Sequence, residues 1–326
     1  MRQCPVRVSI ACFVIGLRRM SDKIHRFFIE NLQVRGEWVA LTDSWQAIQK
    51  TADYPEPVRR VLGEALVAIS LLAESLKFSG SLILQIRGTS PVTLLVAQAT
   101  ADGAIRGIAH WDGIIDDNAS FHDLFGEGTM VISVEPGASG GERYQSLVSL
   151  QGASLADCFS EYFAQSEQLK TKMWLAVNDE TATGLLLQSL PVEGHPHDTQ
   201  ADNVEHWNHA TILADTLNTR QGVQELLTLD VKSLLNRLYH EEELRLYKAK
   251  PIRFECSCSQ QKIENTIYSI GKKEADSIIQ EQGSIQIDCE FCHTRYVLDN
   301  VDVSRIFHQD GISASHADSA VNKNVH

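Results

Sequence analysis

The chain has 326 residues, 43% of them hydrophobic and 22% charged, and a net charge of −13. That length allows two or three domains with a sizeable core, and the apolar content is ordinary for a soluble globular protein. The acidic balance argues against a polyanion as main partner: even residues 251–300 hold five Lys/Arg against eight Asp/Glu, where a nucleic-acid zinc module shows a basic face.

At the start, Val8 to Leu17 is apolar and follows Arg2 and Arg7, a superficial likeness to a signal peptide. Arg18-Arg19 come next, no small-x-small cleavage site follows, and the run is too short to span a bilayer. Residues 1–21 therefore read as an extension, either from an upstream start codon or disordered, with Met20 opening a more ordinary polar start. No other stretch is able to cross a membrane, so the expected location is the cytoplasm.

Residues 22–200 read as an α+β domain with a mixed sheet and packed helices. Phe27, Ile29 and Leu32 are spaced like a strand with a disturbed alternation. Pro55 to Phe78 predicts a long helix with an apolar stripe of Val58, Val61, Leu62, Ala65, Leu66, Ile69, Leu72 and Leu76. Short β-like runs follow at Leu82–Arg87, Val92–Ala97, Ile105–His110, Met130–Val134 and Tyr144–Leu150, separated by turn residues. Ser154 is a suitable N-cap for a helix to about Leu169 that places Cys158 on its apolar face, where a thiol is buried and inert. Strands Met173–Val177 and Leu185–Leu190 close the domain, and the polar residues 191–201 end it.

Residues 201–250 predict a helical linker, with helices over Val204–Leu217 and Val223–Leu246 and a possible cap at Asp230. Pro251 marks the entry to a small C-terminal module, 251–308, and 309–326 is polar enough to be a disordered tail. The chain contains no P-loop, no GxGxxG after a strand and no GxSxG elbow. His195, His197, His206 and His209 read as solvated histidines, and Glu161 and Glu167 have no evident acid/base partner. No catalytic constellation stands out, so the expectation is a protein that is not an enzyme.

The cysteines carry the chemistry. An odd total of seven, with Cys4, Cys12 and Cys158 scattered, is unlike a secreted disulfide framework. The other four form Cys256-Ser-Cys258, thirty intervening residues, and Cys289-Glu-Phe-Cys292. Two close thiolate pairs supply the four ligands that a tetrahedral zinc ion takes. Ile285 and Ile287 before Cys289, with Tyr296, Val297 and Leu298 after Cys292, predict a β-hairpin holding the second pair at its tip. His293 is a possible competitor, but four cysteines already fill the shell. Thiols this close can also join each other: a CxxC turn reaches disulfide geometry easily and a CxC reaches it with strain. A strained disulfide is readily reduced, which suits a redox switch.

The order of parts resembles the redox-regulated heat-shock protein 33 chaperones of bacteria. The matching stretches are Gly141-Glu-Arg-Tyr-Gln145, Tyr162-Phe-Ala-Gln-Ser-Glu-Gln168, Gly184-Leu-Leu-Leu-Gln188, Arg237-Leu-Tyr-His-Glu-Glu242, Phe254-Glu-Cys-Ser-Cys-Ser259 and the Cys289–Cys292 pair, spread from about Lys23 to Phe307. The resemblance implies an ATP-independent holdase, inactive while reduced and bound to one zinc per chain through Cys256, Cys258, Cys289 and Cys292. It further implies that oxidation forms Cys256–Cys258 and Cys289–Cys292 disulfides, releases zinc, unfolds the linker and exposes apolar surface to unfolding clients. Homodimerisation when oxidised and hand-over to ATP-dependent foldases also belong to that implication. The competing readings from residues alone are a zinc-stabilised nucleic-acid-binding protein and a thiol oxidoreductase using the CxxC.

Overall fold

In the computed structural model, residues 21–308 are described, apart from 77, 138–139, 141–142, 167–168 and 191–199. The expected extension up to residue 20, the expected tail, and His195, His197 and Glu167 lie outside the described residues.

Strand β1 (Lys23–Ile29) leads through a 3-10 turn to β2 (Val34–Leu41) and helices α1 (Asp43–Gln49) and α2 (Glu56–Ser75). A meander of β3 (Ser81–Arg87), β4 (Val92–Thr100) and β5 (Ala104–Trp111) precedes α3 (Phe121–Phe125), β6 (Thr129–Glu135) and β7 (Tyr144–Val148). Helix α4 (Leu155–Ser166) and strands β8 (Thr171–Val177) and β9 (Ala182–Ser189) follow. Then come helices α5 (Gln200–Asp215), α6 (Arg220–Thr228) and α7 (Val231–Tyr239), and three short strands, β10 (Leu244–Leu246), β11 (Lys250–Pro251) and β12 (Arg253–Phe254). The last part is α8 (Gln260–Ile270), α9 (Lys272–Gln282), the hairpin β13 (Ile285–Asp288) and β14 (Arg295–Leu298), and α10 (Asn300–His308).

This is an α+β fold with two six-stranded sheets. The first has the order β10-β1-β2-β9-β8, with β11 also on β1, and the second is β12-β5-β4-β3-β6-β7. Helix α2 lies between them and packs on both. The helix ends at Ser75, short of the expected Phe78, and Leu76 of the expected stripe is extended and exposed. The rest of the stripe is only part of the buried surface, since every residue from Ala65 to Leu72 is buried, as expected of a helix with apolar neighbours all round. Glycines permit the close approach on each side. A Cβ on Gly184 of β9 would sit 2.4 Å from Val67 Cγ1, and one on Gly107 of β5 would sit 3.0 Å from Leu66 Cδ2.

The first sheet is covered on its other face as well, which is why β9 is buried at all eight positions. Phe27, Ile29, Trp38, Trp174, Leu185 and Leu187 pack there against Leu226, Leu234, Leu235, Leu238 and Tyr239 of the helices that follow. Polar contacts fasten the cover. Asp215 accepts from Lys172 Nζ at 2.7 Å and Trp174 Nε1 at 3.2 Å, and the Tyr239 hydroxyl donates to the Ala210 carbonyl at 3.0 Å.

The single helix expected over Val223–Leu246 is instead α6, α7 and β10. Leu229 is extended, and the Asp230 side chain accepts from the Lys232 and Ser233 amides, so a new helix begins there. Leu244–Leu246 then pairs with β1, matching Leu246 with Phe27 and Leu244 with Ile29, and caps an otherwise open sheet edge. Leu32, expected in the first strand, lies in the 3-10 turn after it.

Candidate metal centre

The chain crosses between sheets immediately before the first cysteine pair. Lys250 and Pro251 pair with β1 of the first sheet, and two residues later Arg253 and Phe254 run parallel to Ala104 and Ile105 of β5 in the second. The Glu255 amide donates to the Ile105 carbonyl at 3.1 Å, which sets Cys256 beside β5. Ser259 then accepts from the Lys262 amide at 3.3 Å and caps α8, while Lys262 Nζ donates to the Ser257 carbonyl at 2.7 Å. The Cys-Ser-Cys segment is thus held between an edge strand and a helix start.

The second pair occupies the tip of the β13–β14 hairpin. Asp288 and Arg295 face each other at its end in a two-bond ion pair of 2.7 and 2.8 Å. The Cys289 amide donates to the Thr294 carbonyl at 3.0 Å and the His293 amide to the Cys289 carbonyl at 2.7 Å. His293 takes the left-handed conformation, φ 55°, that closes the turn. Its ring is exposed and lines a cleft with Tyr54, Trp111 and Glu290, so it is not a member of the sulfur cluster.

All four sulfurs lie within 4.8 Å of one another. Contacts run between the pairs, 3.6 Å for Cys256–Cys289 and 3.4 Å for Cys258–Cys292. Four sulfurs at about 2.3 Å from a tetrahedral zinc are about 3.8 Å apart, so the donor set fits that ion in both chemistry and spacing. Every cysteine in the cluster is half-buried and unbridged. Among the described residues no other group of three or more His, Cys, Asp or Glu is placed to hold a metal.

Neighbours act on the sulfurs unequally. The Tyr296 hydroxyl donates to Cys258 Sγ at 3.1 Å, and the Thr294 hydroxyl lies 3.2 Å from Cys292 Sγ. Burial pushes the Cys256 and Cys289 thiols up. At Cys292 burial acts in the same direction, but hydrogen bonds from the Thr294 hydroxyl and amide and from the neighbouring thiols outweigh it and bring the pKa to about 6. A metal must displace the protons that remain, which is why zinc binding at such sites depends on pH.

The module around the cluster has a small core. Ile267, Ala275, Ile285, Leu298, Val303 and Ile306 are its buried apolar residues. A core of that size nets only about 3–5 kcal/mol, whereas four thiolates on zinc contribute roughly 10–16 kcal/mol. Retention of this fold is therefore expected to depend on the metal.

The remaining sequence candidates lie apart from the cluster. Cys158 is buried in the core between the sheets, where desolvation raises its pKa. His209 is bonded to Glu242 at 2.8 Å, and Glu161 accepts from Gln165 at 3.0 Å. Sequence reading missed Arg106, Phe291, Thr294 and Tyr296. The last three flank or interrupt the cysteines and could have been found there, but Arg106 is on β5 and carries no local signal.

Comparison with known proteins identifies the family. The family model described as Hsp33 protein matches residues 22–299. The "33 kDa chaperonin" of Nitrosococcus oceani is 42% identical over 287 residues, covering 88% of this chain and 94% of that protein. The protein of the same name from Pseudomonas aeruginosa is 43% identical over 289 residues, covering 88% and 95% respectively. The crystal structure of the 33 kDa chaperonin, or heat shock protein 33 homolog, from Thermotoga maritima shares the fold, with a TM-score of 0.73 over 89% of this chain and 99% of that one at 19% identity. Matched by that model over most of its length and by named relatives over nearly all of theirs, the chain belongs to the Hsp33 family.

Proposed function

We propose that this protein is a redox-regulated, ATP-independent holdase whose switch is the four-cysteine centre. Cys256, Cys258, Cys289 and Cys292 are its metal ligands, and one zinc bound there supplies the free energy that keeps the small C-terminal module folded. The divisions that serve this reading are an α+β body to residue 200, a linker of 201–250 and a redox module of 251–308. The observation that carries it is the position of the cluster: only Glu255 separates its first cysteine from the short strands that tie the linker to both sheets.

Oxidation of each thiol pair by peroxide joins two sulfurs, and the two electrons and two protons they lose reduce one peroxide to two waters. The bonds proposed are Cys256–Cys258 and Cys289–Cys292, each within one chain segment. Either removes two of the four donors, so the module loses its metal and its fold. The linker then loses its C-terminal anchor. Releasing α6 and α7 bares Trp38, Phe27, Trp174 and Leu185 on the first sheet together with the helices' own apolar faces. Exposed apolar surface of this extent captures the apolar segments of unfolding proteins. The oxidised protein is proposed to act as a homodimer in the cytoplasm and to pass clients to ATP-dependent foldases.

The test is suppression of light scattering by a thermally denaturing client. Protein treated with peroxide at mild heat is expected to suppress it at near-stoichiometric amounts, and the reduced zinc-loaded protein to leave it unchanged. Equal behaviour of the two preparations contradicts the proposal.

A further inference from the structure

Arg106 is far from the cysteines in sequence and touches both of their segments in space. Its Nη1 lies 3.8 Å from Cys256 Sγ, and its guanidinium carbon stands 4.2 Å from the centroid of the Phe291 ring, between Cys289 and Cys292. On β4, Gln98 Oε1 accepts from Arg106 Nε at 2.7 Å and fixes the plane of the group. The nearby charges on the adjoining strand are already committed: Arg253 pairs with Asp102 and with Glu255, each at 2.6 Å. Arg106 is thus a cation directed at the cluster, in contact with Cys256 Sγ itself.

Four thiolates on a divalent ion carry a net charge of −2, whereas two disulfides carry none. The attraction between Arg106 and the centre therefore exists only in the reduced, metal-loaded state, and it acts at a half-buried site where salt screens it incompletely. We infer that Arg106 is a positioning residue that reads the charge of the cysteine centre, latching the module onto β5 while the centre is anionic and freeing it when the charge is lost. This rests on the zinc reading above. The β12 register beside it, with Arg253 and Glu255 donating to the Gly103 and Ile105 carbonyls, is what the latch protects.

The experiment measures transfer of zinc from the reduced full-length protein to a chromophoric chelator, without oxidant, in wild type, Arg106→Gln and Arg106→Lys. Amide exchange at Arg253 and Glu255 is followed alongside. Arg106→Gln is expected to start with one zinc, to release it about tenfold faster, the scale of one charge-assisted contact, and to exchange those amides faster. Arg106→Lys keeps the charge but loses the flat face over Phe291, and should fall between the two. Raising salt should speed release from wild type and leave Arg106→Gln little changed; the wild-type arm needs no variant to fold. Equal release from wild type and Arg106→Gln, or release from wild type indifferent to salt, overturns the latch alone. Wild type purified reduced and without zinc overturns the metal reading and the latch together.

Discussion

Cys289→Ser is expected to lose zinc and, with it, the ordered structure of residues 256–308. A serine hydroxyl does not replace a thiolate on zinc at neutral pH, and loss of a ligand should lower affinity by more than the roughly 10–100-fold that loss of a ligand's supporting partner costs. What remains is a core of six buried apolar residues worth about 3–5 kcal/mol, set against the ordering of some fifty residues. The hairpin is the most exposed part to this loss, because the Cys289 and His293 amide bonds that close its tip lie within the ligand loop. Zinc content and amide exchange together give the check: the variant should hold well under half an equivalent and exchange freely in α8, α9 and α10. A variant with full zinc and wild-type protection would remove Cys289 from the ligand set.

Leu234→Glu is expected to lift the linker from the first sheet in the reduced, zinc-loaded protein. Leu234 is fully buried against Phe27, Trp38 and their neighbours. An unpaired carboxylate there costs several kcal/mol, and the loss of leucine packing adds about 2–5 kcal/mol. Helices α6 and α7 are short and add few polar contacts of their own to the cover, so a penalty of that size exceeds what their local docking can absorb. The expected result is suppression of client aggregation without oxidant, with one zinc still bound and α6 and α7 rapidly digested by protease. Such a result would separate the proposed client-binding surface from the proposed redox centre. If the variant stays inactive while its linker is demonstrably released, the apolar face of the first sheet is not the client surface.

Sequence legibility followed local pattern. Helix α2 was readable because its apolar residues repeat at helical spacing, although nothing in a single stripe announces that two sheets will enclose it. Strand β2 was not readable: Arg35, Gly36 and Glu37 interrupt its apolar residues, and only pairing with β1 and β9 makes it a central strand. Glu37 is fully buried, with burial pushing its pKa up to about 7, a placement that no alternation rule anticipates. Strands β10, β11 and β12 are two or three residues each, too short for periodicity, and exist because the edges of β1 and β5 have open hydrogen-bonding groups to satisfy. The continuous helical spacing of Val223–Leu246 concealed the break at Leu229, although Asp230 was visible as a cap.

The cysteine cluster was legible because its spacing is itself the signal: two close pairs in one small module, although helices α8 and α9 between them were not read. The structure brings those four sulfurs together and leaves Cys158 in the core. Arg106 was beyond reach, since a contact between β5 and the module is made by folding and not by any local pattern.

The most direct test of the account is a paired count of zinc and free thiols, before and after peroxide at mild heat. One zinc per chain with the four module thiols reactive, followed by its release as those four thiols disappear into two disulfides and Cys158 stays reduced, is the predicted result. Zinc retained with its four thiols still reduced, under conditions that oxidise an ordinary exposed thiol, would mark the centre as purely structural and contradict the switch.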